Sequence, residues 1–131
     1  MTEPAAATPR IEAIDHVSVL VADVAAAVAF YQAVLDLPRV ARPDLGFPGA
    51  WLNLANGVDL HLLQLPNLDP REGRPAHGGR DRHVALRVAA TAPFAARLTV
   101  MNWPFTRSYS GRDALFFRDE DGNAWELTAR N

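Results

Sequence analysis

The chain has 131 residues and is 49% apolar, which is enough for one compact unit with a real core. A formal charge of −2 argues against a general affinity for nucleic acid or an anionic membrane. Cysteine is absent and all 13 basic residues are arginine, which excludes disulfides, thiolate nucleophiles, thiolate-held zinc and Schiff-base lysines.

Residues 1–10 are rich in Ala, Pro and Thr, without the basic and apolar segments of a secretory signal, and read as a loose tail. No apolar stretch is long enough to span a bilayer, so the expected location is the cytoplasm. The arginine and alanine bias suggests a GC-rich bacterial genome. Residues 11–65 form a first module. It opens with a β-branched strand at 11–21, followed by a helix capped by Asp23 with Val24, Val28, Tyr31 and Leu35 on one stripe. Pro38 stops that helix. A short strand at 39–42 is expected next, then a hairpin of 50–55 with 58–65 turned at Asn56-Gly57.

Residues 66–81 are a linker rich in Pro, Gly and charge. Residues 82–131 repeat the first plan. A strand at 82–88 leads to a helix with Thr91 as cap, Pro93 in its first turn and Asn102 at its end. Phe94, Leu98 and Met101 share a face of that helix. A short strand at 104–108 and a hairpin of 114–118 with 124–129, turned at Asp121-Gly122, complete the copy. The fold class is therefore α+β, built from two copies of one strand–helix–three-strand unit.

His16 opens the first strand of one copy, and His83 opens the first strand of the other. Four residues after Gly57 stands His61, and four after Gly122 stands Glu126. Alternation puts His16 with Ser18, His61 with Asp59, His83 with Arg87, and Glu126 with Thr128. The opposite faces carry Val17, Val19, Leu60, Leu62, Val84, Leu86, Trp125 and Leu127, which should pack under the helices. Three imidazoles and one carboxylate at equivalent places suggest one metal held between the copies, so His16, His61, His83 and Glu126 are expected to converge.

With tight hairpins, Leu52 would face His61 and Phe117 would face Glu126, lining the same hollow. Arg87 and Arg112 are candidates to hold a substrate carboxylate or phosphonate. His77 lacks a mate in the other copy and reads as a loop residue, while Trp51, Trp103, Phe105 and Phe116 read as core.

The stretch ALFFRDEDGNAWEL at 114–127, and IDHVSV at 14–19 with Phe30 and Tyr31 on the following helix, resemble the vicinal oxygen chelate superfamily. Its members include glyoxalase I, fosfomycin-resistance thiol transferases, extradiol dioxygenases and bleomycin-resistance proteins. The resemblance covers 11–130 and departs at Glu120, where the family usually has proline. It implies two βαβββ modules forming curved mixed sheets around a metal cup, with the four ligand positions on His16, His61, His83 and Glu126.

An N/O donor set of this kind suits Zn, Ni, Co, Mn or Fe(II). The resemblance implies a metal-dependent enzyme of the glyoxalase, lactoylglutathione lyase-like, type. It would stabilise an enediolate or similar oxyanion of a small substrate or its thiol adduct, with Glu126 as catalytic base. His61 stands where glyoxalase I has its first carboxylate, and His16, His83 and Glu126 alone make a two-histidine, one-carboxylate set. A fosfomycin-type thiol transferase or a dioxygenase on the same metal is therefore one alternative. A metal-free, bleomycin-resistance-type binding protein is another. The expected assembly is a homodimer in which two modules close each cup, within one chain or between chains.

Overall fold

A computed structural model describes residues 8–129. Most of the 1–10 tail lies outside them, and residues 8–15 are exposed coil. The first module comprises β1 (His16–Leu20), α1 (Val24–Leu35), β2 (Arg39–Val40), β3 (Gly49–Ala55) and β4 (Val58–Leu63). The second comprises β5 (His83–Val88), α2 (Ala92–Val100), β6 (Phe105–Arg107), β7 (Ala114–Arg118) and β8 (Ala124–Ala129). Each module is a four-stranded mixed sheet, in the orders β1-β4-β3-β2 and β5-β8-β7-β6. The two parallel pairs, β1–β4 and β5–β8, are the central repeat of the architecture.

Local chemistry sets most boundaries. The Asp23 side chain accepts from the Ala26 amide at 3.1 Å and caps α1. Asp36 ends the helix in the left-handed region, two residues before Pro38. Thr91 does not cap α2 with its side chain as expected. Its hydroxyl donates instead to Asp113, and Arg107 donates to it. Asn102 is left-handed, and the Trp103 amide donates to Leu98 O at 2.8 Å, closing the end of α2. β1 begins only at His16, because β4, its one ladder partner, pairs from Asp59 onward.

Both helices and the inner faces of both sheets meet in one core. Val28, Phe30, Tyr31 and Val34 of α1 join Leu60 and Leu62 of the first sheet and Phe117, Trp125 and Leu127 of the second. The modules are also joined by polar contacts. Tyr31 donates to Asp119 Oδ2 at 2.5 Å and accepts from Trp125 Nε1 at 2.9 Å, and Arg97 donates to Val34 O at 3.0 Å. Burial, and then the Asp119 charge, raise the Tyr31 pKa well above its ordinary value, so the hydroxyl stays a donor. Replacing Tyr31 by Phe strands Trp125 Nε1 and removes one donor from a buried carboxylate. The expected loss is about 1–3 kcal/mol by chemical denaturation, with no change in m-value.

The linker is bound to the second sheet. Its 3₁₀ turn, Gly78–Arg80, packs on β7 and β8. Asp81 Oδ2 receives Arg74 and Arg118, each at 2.9 Å. Burial acts to raise the Asp81 pKa, but hydrogen bonds from Arg74 and Arg118 outweigh it and bring it down to about 2. A carboxylate with a depressed folded pKa stabilises above its unfolded pKa, and that contribution is lost as pH falls through the folded value. The clamp should therefore be intact at neutral pH and release between about pH 4 and pH 2. Amide exchange in 74–82 should accelerate in that window, and in an Asp81→Asn variant it should already be fast at neutral pH.

Candidate metal centre

The two modules place their candidate ligands by the same rule. In the parallel pair β1–β4, His61 lies opposite Ser18, two residues beyond His16. In β5–β8, Glu126 lies opposite Ala85, two residues beyond His83. Each pair is thus a diagonal across one parallel ladder, on the face turned away from the shared core. The His16 and His61 rings stack at 4.1 Å between centroids. His83 Nε2 and Glu126 Oε1 are 3.1 Å apart.

Within one chain the four residues stand as two separate pairs, His16 with His61 and His83 with Glu126. Among the described residues no three His, Cys, Asp or Glu side chains are grouped to hold a metal ion. The physical reason is the common core. Since both sheets turn their apolar faces inward, both ligand faces look outward, and neither covers the other. An apolar hollow of about 390 Å³, lined by residues such as Val17, Leu54, Leu86 and Phe94, lies along the seam between modules and involves none of the four.

The register of both hairpins also differs from the tight-turn expectation. Trp51, not Leu52, faces His61, and Phe116, not Phe117, faces Glu126. A bulge between Asn53 and Ala55 shifts the first hairpin, and a five-residue loop at 119–123 shifts the second. A slip of one residue exchanges the faces of a strand. Leu52 and Phe117 are therefore in the core, and Trp51 and Phe116 line the ligand faces instead. Trp51 stacks on His61 at 4.2 Å, and Phe116 meets His83 edge-on at 5.4 Å.

His77 is more than a loop residue. It is 8% exposed, pairs through Nδ1 with Thr106 Oγ1 at 2.7 Å, and lies between Tyr109 and Phe116. It forms part of the cover over the second ligand face. Without a repeat mate, only its place in a long Gly-rich linker hinted at this.

Ring orientation bears on metal binding. His16 Nδ1 faces Asp15 Oδ2 at 2.7 Å, and His83 Nδ1 faces the Asp81 carbonyl at 2.9 Å. Both oxygens only accept, so each Nδ1–H donates and, in the neutral ring, Nε2 carries the lone pair. An oxygen acceptor fixing one ring nitrogen while the other points into a site is the usual support of a metal-binding histidine. Burial, then the neighbouring His16, hold the His61 pKa below its ordinary value, which favours the neutral form that ligates.

At His83 the consequence is sharper. A neutral ring presents the Nε2 lone pair to the Glu126 carboxylate, placing two acceptors 3.1 Å apart. That contact is attractive only with positive charge between them, a second ring proton or a metal ion. Donors bound to one ion at about 2.0–2.2 Å and at right angles lie about 2.8–3.1 Å apart, so the pair fits two ligand positions. Glu126 is 5% exposed, and its other oxygen is 3.2 Å from Arg112 Nη2. Arg112 is itself held by Ser110 Oγ at 2.9 Å. Arg87 is exposed on the same face of β5 as His83.

Comparison with known proteins agrees with this architecture. The pattern of the Glyoxalase/Bleomycin resistance protein/Dioxygenase superfamily matches residues 13–127, and the chain belongs to that superfamily. A curated relative, Glyoxylase I 4 of Arabidopsis thaliana, is 31% identical over 97% of this chain and 76% of its own length. Among solved structures, a putative glyoxalase family protein from Bacillus anthracis superposes with a TM-score of 0.76 at 20% identity, covering 95% of this chain and 100% of that one. The fosfomycin resistance protein FosX from Listeria monocytogenes, in complex with Mn(II) and sulfate, gives 0.72 at 16% identity, covering 93% of each chain. At these identities the structural neighbours show the fold.

Proposed function

We propose that the protein is a metal-dependent enzyme of the glyoxalase type. Two chains would form two cups, each with His16 and His61 from one chain and His83 and Glu126 from its partner. The observation that carries this reading is the His83–Glu126 contact, an imidazole nitrogen and a carboxylate oxygen 3.1 Å apart on an outward face. The stacked His16–His61 pair supplies complementary nitrogen donors on the other outward face, and a two-fold axis can bring one face of each kind together. A divalent ion there would supply Lewis-acid stabilisation of negative charge developing on a substrate oxygen.

The protein's own groups divide the remaining work. Glu126, the single carboxylate of the set, is the group able to take a proton from the substrate carbon and return it. Asp15 and the Asp81 carbonyl keep His16 and His83 in the tautomer that faces the cup. Trp51, Phe116 and the His77 cover provide apolar and aromatic walls that exclude water. The substrate class is a small metabolite with neighbouring oxygens, free or as a thiol adduct.

A fosfomycin-type transferase or dioxygenase is the second reading, favoured by the two-histidine, one-carboxylate subset His16, His83 and Glu126. Metal analysis of the purified protein tests the common core of both, with one divalent ion per chain expected. A chain free of metal after growth and titration with Zn, Ni, Co, Mn and Fe(II) would leave the binding-protein reading. Turnover of the hemithioacetal of methylglyoxal would separate the first reading from the second.

A further inference from the structure

We propose that Trp51 is a positioning residue for His61. Its indole clamps the imidazole by stacking, and so does for His61 what a hydrogen-bond acceptor does for His16 and His83. The proposal rests on the reading above in that His61 is taken as a donor of the shared cup.

His61 is the exception among the four histidines of the chain. His16, His77 and His83 each have Nδ1 within 2.9 Å of an oxygen, whereas among the described residues neither ring nitrogen of His61 has a hydrogen-bond partner. An imidazole on two rotatable bonds without such a partner is free to turn away from the direction that a ligand needs. What His61 has instead is a ring on each side. Trp51 lies parallel to it, at 4.2 Å and 6°, and His16 nearly so, at 4.1 Å and 14°.

Sheet geometry makes the clamp. Trp51 on β3 stands directly across the antiparallel ladder from His61 on β4, and His16 on β1 stands diagonally across the parallel ladder. Neighbouring strands are about 4.8 Å apart, so flat rings standing side by side on one face can stack across them. The three rings form one row across three strands, with His61 in the middle. His16 is pinned from its own side by Asp15, so Trp51 is the remaining wall. A planar ring there fixes the plane of His61, whereas a flexible aliphatic chain would fill the space without fixing it. Stacking also leaves both nitrogens of His61 uncommitted and open to an ion.

The test compares Trp51→Phe, which keeps a flat ring, with Trp51→Leu, which keeps only apolar bulk. Titration of the chelator-treated full chain with Mn(II) should show affinity about tenfold weaker for Trp51→Leu and within about threefold of wild type for Trp51→Phe. His61→Ala retains His16, His83 and Glu126, and on that background Trp51→Leu should cost less than about twofold, because Trp51 acts through His61. Without metal, the nuclear Overhauser effect between the His61 and His16 ring protons should be strong in wild type and Trp51→Phe and weak in Trp51→Leu. Wild-type affinity in Trp51→Leu would overturn the proposal, as would a loss in Trp51→Phe equal to that in Trp51→Leu. An equal loss with and without His61 would also overturn it, by showing that Trp51 supports the whole face. A wild-type chain that binds no Mn(II) would remove the metal reading. The ring-to-ring effect would then decide alone, with an undiminished signal in Trp51→Leu ruling out the clamp.

Discussion

Replacing Glu126 by alanine is expected to lower metal affinity by about two orders of magnitude, since losing even a supporting partner of a ligand costs about 10–100-fold. His83→Ala should do the same. In each case one donor of the 3.1 Å pair is gone, and the remaining one faces Arg112 or Phe116. Both residues lie outside the core formed by Leu60, Leu62, Trp125 and Leu127, so the circular dichroism spectrum and the unfolding m-value should be retained. Metal bound at wild-type affinity by either variant would remove both residues from the ligand set. A chain that no longer folds would assign them a structural role.

Mixing a His16→Ala chain with a Glu126→Ala chain should restore metal sites that neither variant has alone. Each homodimer lacks one donor in both cups. A heterodimer has one cup with all four donors and one lacking two. After denaturation and joint refolding, half of the dimers should be mixed, which gives roughly a quarter of the wild-type number of complete sites. The expectation follows from the outward placement of the two pairs and from the shared core that keeps them apart within a chain. No recovery of metal in confirmed heterodimers would mean that cups are not shared. A chain that sediments as a monomer at micromolar concentration with saturating divalent metal would have the same consequence.

The repeat, the helices and both hairpin turns were legible because each is written in local chemistry. Asp23 caps, Asn102 ends a helix, and Asn56-Gly57 adopts the two positive φ angles of a tight turn. Alternation along β1, β4, β5 and β8 separates the polar from the apolar faces, because an apolar face must be buried whatever covers it. Features that depend on partners distant in sequence were harder to read. The register of β3 on β4 depends on a bulge at Leu54 that no residue type announces, and it is this bulge that sets Trp51 instead of Leu52 opposite His61. The cover made by His77 depends on Thr106, Tyr109 and Phe116, all far along the chain. Thr91 has the composition of a cap, yet its hydroxyl is taken by Asp113 from another loop. Repeat symmetry makes His16 equivalent to His83 and His61 equivalent to Glu126, but it does not set the direction in which the two ligand faces point.

The joint between the modules has a consequence for how cups would form. Tyr31, Asp119 and Trp125 tie α1 to the second sheet, so the chain is a finished body before it meets another. Under the shared-cup reading, separating two such bodies divides every donor set in half without unfolding anything. Metal affinity then depends on protein concentration, and dimer affinity depends equally on metal. Scarce protein would be single-chained and metal-poor. Added metal would draw the chains together, making the ion an assembly signal as well as a cofactor.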